Sequence, residues 1–326
     1  MIRVLLALIA AVLLTPASAH AACGVAPARA IYETPSVQVY MKGQKVVGCD
    51  RATGKSRGVG EKGLHTVVEV LGNRYIHMRF YASAAESADM QMDSVLDLRT
   101  DNGALAPVLS EEIDNQVVAL PGAVITAGEE GVIARYTDER MYEVISAAPA
   151  DTIAAVGSRI YWRDAAGAHT LVLSLPASDP ARALPRARTI GRCKPRPGAR
   201  LVMRDTSIVV TKAGGATWAC RNGKTRRVDG EGTIISNRFV AYARPGFTGI
   251  LDVANGKRRE LPGSGAAGAW ALVTAAPDGV RTWVYGDKAP KLLVAGAATE
   301  VAIGETAIAP VAFWLDANGI PRSAGI

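Results

Sequence analysis

The chain has 326 residues, 49% of them hydrophobic and 21% charged, with a formal net charge of +7. The apolar share is too high for a disordered polyelectrolyte and is enough for a substantial core in one large domain or two small ones. After the first segment no run of eighteen apolar residues occurs, so no later helical membrane span is expected.

The chain opens MIRVLLALIAAVLLTPASAHAAC, with one Arg, an eleven-residue apolar run from Val4 to Leu14, a helix-breaking Pro16 and two small-x-small sites. This reads as a secretory signal peptide over residues 1–21, cut after Ala19 or Ala21, and predicts a secreted, periplasmic or cell-envelope protein. Cys23 then lies near the mature terminus. His20 stands where a lipoprotein signal needs an aliphatic residue, so a disulfide is the favoured use of that cysteine.

The elements that follow are short, β-branched and aromatic, and separated by tight turns. SVQVYM from Ser36 leads to Cys49 and the turn ATGK; HTVVEVL from His65 precedes GNRYIHMRF from Gly72. SAAESADMQMDSVL from Ser83 shows the best hint of helical periodicity and reads better as a long loop, closed by LDLRTDNG from Leu96. AVITAGEEGVIARY from Ala123, GSRIYW from Gly157 and WRDAAGA from Trp162 complete a first half of about residues 22–181. A basic connector, RALPRARTIGRCKPRPGAR, spans 182–200 with three prolines and no acid. The second half, 200–326, runs through RLVMR, SIVVTK, CRNGK, SNRFVAYA, LDVANGK, ALVTAAPDGVRTWVY and WLDANGI. Asn, Asp and Gly in the turns supply left-handed backbone conformations, as hairpins require.

Two kinds of self-similarity run through this list. Arg74, Arg159 and Arg238 head similar strands at intervals of 85 and 79 residues, which are two units of about 40 each. In addition, the Cys-strand-Cys pattern, the small-Asn-Arg-aromatic run, the Ala-Val-Thr-Gly hairpin and the Trp-Asp-Gly turn occur in the same order in both halves. That order predicts a duplicated half with four units in each copy.

The strand, Asp and Gly-turn sequence in LDLRTDNG and LDVANGK resembles the repeats of the broad TolB-like, quinoprotein-like and WD40-like β-propellers. The resemblance implies a single all-β domain over 22–326, a β-propeller of about seven or eight blades in which a closed ring gives each blade two neighbours. Two β-sandwich domains are the alternative.

Four cysteines allow three pairings. If equivalent units hold equivalent bridges, Cys23 joins Cys49 and Cys193 joins Cys220; no CxxC or nearby His supports a metal instead. No P-loop is present, and no catalytic residue or cofactor is nominated. His65, His77 and His169 read as strand histidines. Glu86, Asp89 and Asp93, and Glu111, Glu112 and Asp114, form two acidic clusters read as solvated loops. As sites they would suit calcium or an acid-base pair.

Charge divides unevenly: residues 22–181 hold 14 basic and 20 acidic side chains, and 182–326 hold 22 and 10. Arg221, Lys224, Arg226 and Arg227, with Lys257, Arg258 and Arg259, are the candidate anion-binding residues, in or after hairpin turns. The expected function is therefore an exported binding or protein-interaction module that works from one mouth of the ring, with an anionic envelope component or a protein as partner. The alternative is a carbohydrate-active hydrolase or lyase. Nucleic acid is not expected, because no recognition motif accompanies the charge.

Overall fold

The computed structural model describes residue 23 and residues 29–61, 67–81, 90–100, 102–109, 116–305 and 309–326. Among them there is no α-helix, and every strand ladder is antiparallel. Eight blade-like units follow in chain order: blade I (30–61), II (67–109), III (116–146), IV (150–172), V (200–228), VI (231–262), VII (264–295) and VIII (298–325). Their strand counts are four, four, four, three, and then the same again. The described residues form an eight-bladed β-propeller built from a duplicated half.

The echoes in the sequence fall on equivalent strands. SVQVYM and SIVVTK form the second strands of blades I and V; Arg74 and Arg238 lead into the second strands of II and VI. The hairpins from Ala123 and Ala271 are the second and third strands of III and VII, and Trp162 and Trp314 lie in the middle strands of IV and VIII. The turns are as chemistry requires. Asn222 and Gly223 have φ of 50° and 82°, the paired positive values of a two-residue hairpin turn. Asp50, Asp97, Asp164, Asp252 and Asp316 each accept a bond from a backbone N–H two residues on, which nucleates the turn. One reading changes: Asp93 lies inside the strand Met90–Asp97 of blade II, not in a loop.

Neighbouring blades pack face to face, because alternate residues of one strand point to opposite faces. In blade VIII, Val301, Ala312 and Trp314 pack against Val273, Ala275 and Val280 of VII. Their chain neighbours Ala302, Val311 and Phe313 pack against Ala154 and Tyr161 of IV. Similar cores join I to II, II to III, III to IV and V to VI. The resulting cycle is I, II, III, IV, VIII, VII, VI, V and back to I.

The second half thus runs round the ring in the opposite sense to the first. Like meets like at both junctions: the first strands of I and V pair with each other, and the first and third strands of IV touch those of VIII. This is the self-complementary contact pattern of a two-fold axis, here within one chain. Blades I and V meet edge to edge, so each keeps one face without a blade neighbour. Those faces are covered instead by the cystine segments. Cys23 packs with Tyr40, Val47 and Cys49 on blade I, and Ala187, Ile190 and Cys193 pack with Leu201, Val209 and Cys220 on blade V. The bridges Cys23–Cys49 and Cys193–Cys220 have Cα separations of 6.0 and 5.8 Å.

Candidate functional site

The chain between blades IV and V is a fitted strap. Leu173 N donates to Ser158 O (2.8 Å), Arg140 Nη1 to Ser174 O (2.5 Å), Tyr75 Oη to Ala177 O (3.1 Å) and Asn73 Nδ2 to Asp179 O (3.2 Å). Asp179 also pairs with Arg99. The strap therefore crosses the first-to-second turns of blades IV, III and II at Ser158, Gly122 and Asn73, and meets the third-to-fourth turns of III and II at Arg140 and Arg99. Gly122, at φ 76°, makes this possible: a Cβ there would lie 2.7 Å from Pro176. Farther on, Arg196 stacks over Trp218 of blade V at 3.5 Å.

The strap ends at the seam between the halves. Glu33, only 1% exposed, accepts bonds from Arg204 Nε (2.6 Å), Arg188 Nη2 (2.9 Å) and Arg51. Glu33 and Arg204 are direct ladder partners and also occupy equivalent positions of the two copies, three residues before Ser36 and Ser207. A position on the two-fold axis faces its own counterpart, and identical charges there would repel. Burial pulls the Arg51 guanidinium below its usual range, opposed by Glu33 and reinforced by Arg188 and Arg204. Sequence reading missed this cluster, although the 171-residue offset that aligns the two serines also aligns Glu33 with Arg204.

Six of the seven candidate cations gather along the boundary of blades V and VI. Arg221 Nε donates to Asn237 O (2.7 Å), and Lys224 Nζ to Ala254 O (3.5 Å). Arg226 packs on the turn at Gly256, and Arg258 donates to Arg227 O (2.7 Å) and pairs with Asp229 at 3.0 Å. Lys257 is exposed in the adjoining turn. Arg259 points the other way, toward blade VII, where it meets Tyr285 O and the Trp283 ring. The cations thus occupy the outer strands Lys224–Val228 and Arg258–Pro262 and their turns, at the perimeter of the ring. An open groove of about 460 Å³ between V and VI runs beside Arg227, with Lys212, Asp229, Glu231 and Arg244 on its walls.

The other candidates separate. His77 is buried, with Nε2 2.8 Å from Asp93 and Nδ1 3.5 Å from Glu69, and Arg79 Nε donates to Asp93 at 2.9 Å. Burial works against the imidazolium, but the bonds to the two carboxylates outweigh it and raise its pKa. Asp93, expected to be solvated, is fully buried because it is the acceptor in this network. Both ring nitrogens face carboxylates, so His77 is occupied within blade II. His169 stacks on Trp162 and meets Asp164 at 2.8 Å. Residues 1–21, His65, Glu86, Asp89, Glu111, Glu112 and Asp114 lie outside the described residues. Gly263, Gly265 and Gly268 have the GxGxxG spacing, but they fall in and beside the strand Ser264–Ala267 with another strand following, not a helix. Among the described residues no helix is long and apolar enough to cross a membrane, and no group of three His, Cys, Asp or Glu is arranged to hold a metal.

No protein-family description matches the chain, and no curated protein resembles it closely enough to register. Solved structures do match. The tricorn protease aligns with 90% of this chain at 11% identity and a TM-score of 0.19, and the chain spans 39% of that protein's length. Kluyveromyces lactis Hsv2 aligns over 91% of this chain and 98% of its own at 7% identity and a TM-score of 0.24. Dihydro-heme d1 dehydrogenase NirN aligns over 92% and 76%, at 12% identity and a TM-score of 0.28. Likeness at this level lends the chain no function, and its architecture rests on its own sheets.

Proposed function

We propose that this protein is an exported binding module whose basic perimeter on blades V and VI holds an anionic polymer of the cell envelope. The observation that carries the reading is the convergence of two outer strands, rich in Arg and Lys, on one blade boundary, where Asp229 is the acid paired with them. Two disulfides fit an oxidising compartment, and the leader-like first segment fits export. Clustered surface cations attract a polyanion through a field that salt screens over roughly 10 Å at 0.1 M. Arg258 and Arg259 are held closely by neighbours within the fold, whereas Lys224 and Arg227 reach theirs only at 3.5 and 4.0 Å and Lys257 is exposed, so these three are the cations to remove. On immobilised dextran sulfate the chain is expected to elute later than a Lys224→Ala, Arg227→Ala, Lys257→Ala variant. Identical elution salt for the two proteins sinks the proposal.

A further inference from the structure

Among the described residues no segment like the strap lies over the equivalent turns of blades VI and VII, and the side chains there show it. Asn73, Arg74 and Tyr75 correspond to Asn237, Arg238 and Phe239. Arg74 pairs with Asp97 as Arg238 pairs with Asp252, so the framework is the same. Yet the Arg74 side chain is 19% exposed and that of Arg238 50%, and Tyr75 is fully buried where Phe239 is half-buried. Gly122 corresponds to Trp270, a match fixed by the backbone: Thr137 N donates to Gly122 O (2.9 Å) and Tyr285 N to Trp270 O (3.0 Å). Where Gly122 lets Pro176 close on the chain, Trp270 stands 66% exposed.

An indole in water at a site that its twin covers with an extended segment is a contact surface in waiting. Its surroundings specify chemistry. Tyr285 links Trp270 to the Phe239 ring, whose centroid lies 5.0 Å from that of Tyr285. Arg238 lies beside this aromatic pair, and Arg221 reaches the same turn through Asn237 O. In the first half the strap presents Pro176 to blade III and Asp179 to Arg99 of blade II. Flat aromatic rings receive the preformed extended helix of a proline-containing chain at small entropic cost, and the cations favour an acidic one.

We propose that Asn237, Arg238, Phe239 and Trp270 form a docking site for an extended, proline-containing, acidic segment of a partner protein. The site stands on the internal symmetry and shares only Arg221 with the basic perimeter. The probe is a labelled peptide of the strap sequence LSLPASDPA, with a panel of nine-residue relatives that keep both prolines and the acid, titrated into the full chain by fluorescence anisotropy. At least one member binds saturably. Trp270→Ser weakens it tenfold or more and Trp270→Phe less, with unfolding temperature unchanged in both. Proline-to-Ala or Asp-to-Lys peptides also lose tenfold, while Lys224→Ala with Arg227→Ala stays within twofold. Four results overturn the proposal: no saturable peptide; binding indifferent to Trp270→Ser; equal Trp270-dependent binding of proline-free polyglutamate; or self-association of the chain that Trp270→Ser abolishes.

Discussion

The two halves of this propeller have the same blades and opposite surroundings. The first is acidic, carries the strap across its turns and buries Tyr75 and Gly122 beneath it. The second is basic and leaves Arg238 and Trp270 in solvent. The same backbone framework is covered by the strap in one copy and stands exposed in the other. What a duplicated fold does is decided by where its copies stopped matching.

The strongest way to break that comparison is at the seam, where the copies had to differ. Glu33→Ala leaves three guanidiniums without their buried carboxylate, and a loss of about 3–5 kcal/mol is expected in denaturant unfolding. The charge swap Glu33→Arg with Arg204→Glu is expected to recover little, because Arg51 and Arg188 would then face a third guanidinium in place of the Glu33 carboxylate. Full recovery would show that the axis is electrostatically symmetric.

Next come the cystines. The loops close over separations of 26 and 27 residues, so chain entropy alone assigns each bridge roughly 3–4 kcal/mol. Replacing Cys193 and Cys220 by Ala is expected to cost more than replacing Cys23 and Cys49. The second bridge also holds the segment that carries Arg196 onto Trp218 and Arg188 onto Glu33. Equal losses would mean that the strap's grip on blade V is independent of its cystine.

Installing the second half's bulk in the first is a milder test. Gly122→Val meets Pro176 and a positive φ together, and about 1–3 kcal/mol of overpacking cost is expected. Limited proteolysis is expected to cut within residues 173–181 in this variant and to spare the parent. An uncut strap would contradict the close approach at Gly122.

The smallest effect concerns His77, whose counterpart in blade VI is Ala241. Its folded pKa is raised above the unfolded value of about 6.5, so its stabilising contribution is complete below that pH. It declines as pH rises through the folded pKa. His77→Gln is expected to flatten stability against pH in that window. An unchanged slope would mean that the imidazole titrates alike in both states.

Much of this fold was legible in the chain. Turn chemistry, the two-blade spacing of Arg74, Arg159 and Arg238, and the ordered echoes all report local structure, and each lies on equivalent strands. The sense of the second arc was not legible, because it depends on which blade faces meet across the ring, and no local period encodes that. Asp93 was misread for a simpler reason. In MQMDSVLD an acid sits among alternating residues, and only its partners on the adjoining strand explain its burial. Of the candidate site, the cations were visible as composition, but their division between a shared boundary and a contact with blade VII was not. Trp270 was hidden because its meaning comes from comparison with Gly122.

The central claim, that recognition belongs to the second half, is tested most directly by amide hydrogen exchange of the full chain with and without dextran sulfate. Protection is expected in the outer strands Lys224–Val228 and Arg258–Pro262 and none in their first-half equivalents, Ser56–Glu61 and Gly103–Leu109. Equal protection of both pairs, or protection of the first-half pair alone, would contradict it.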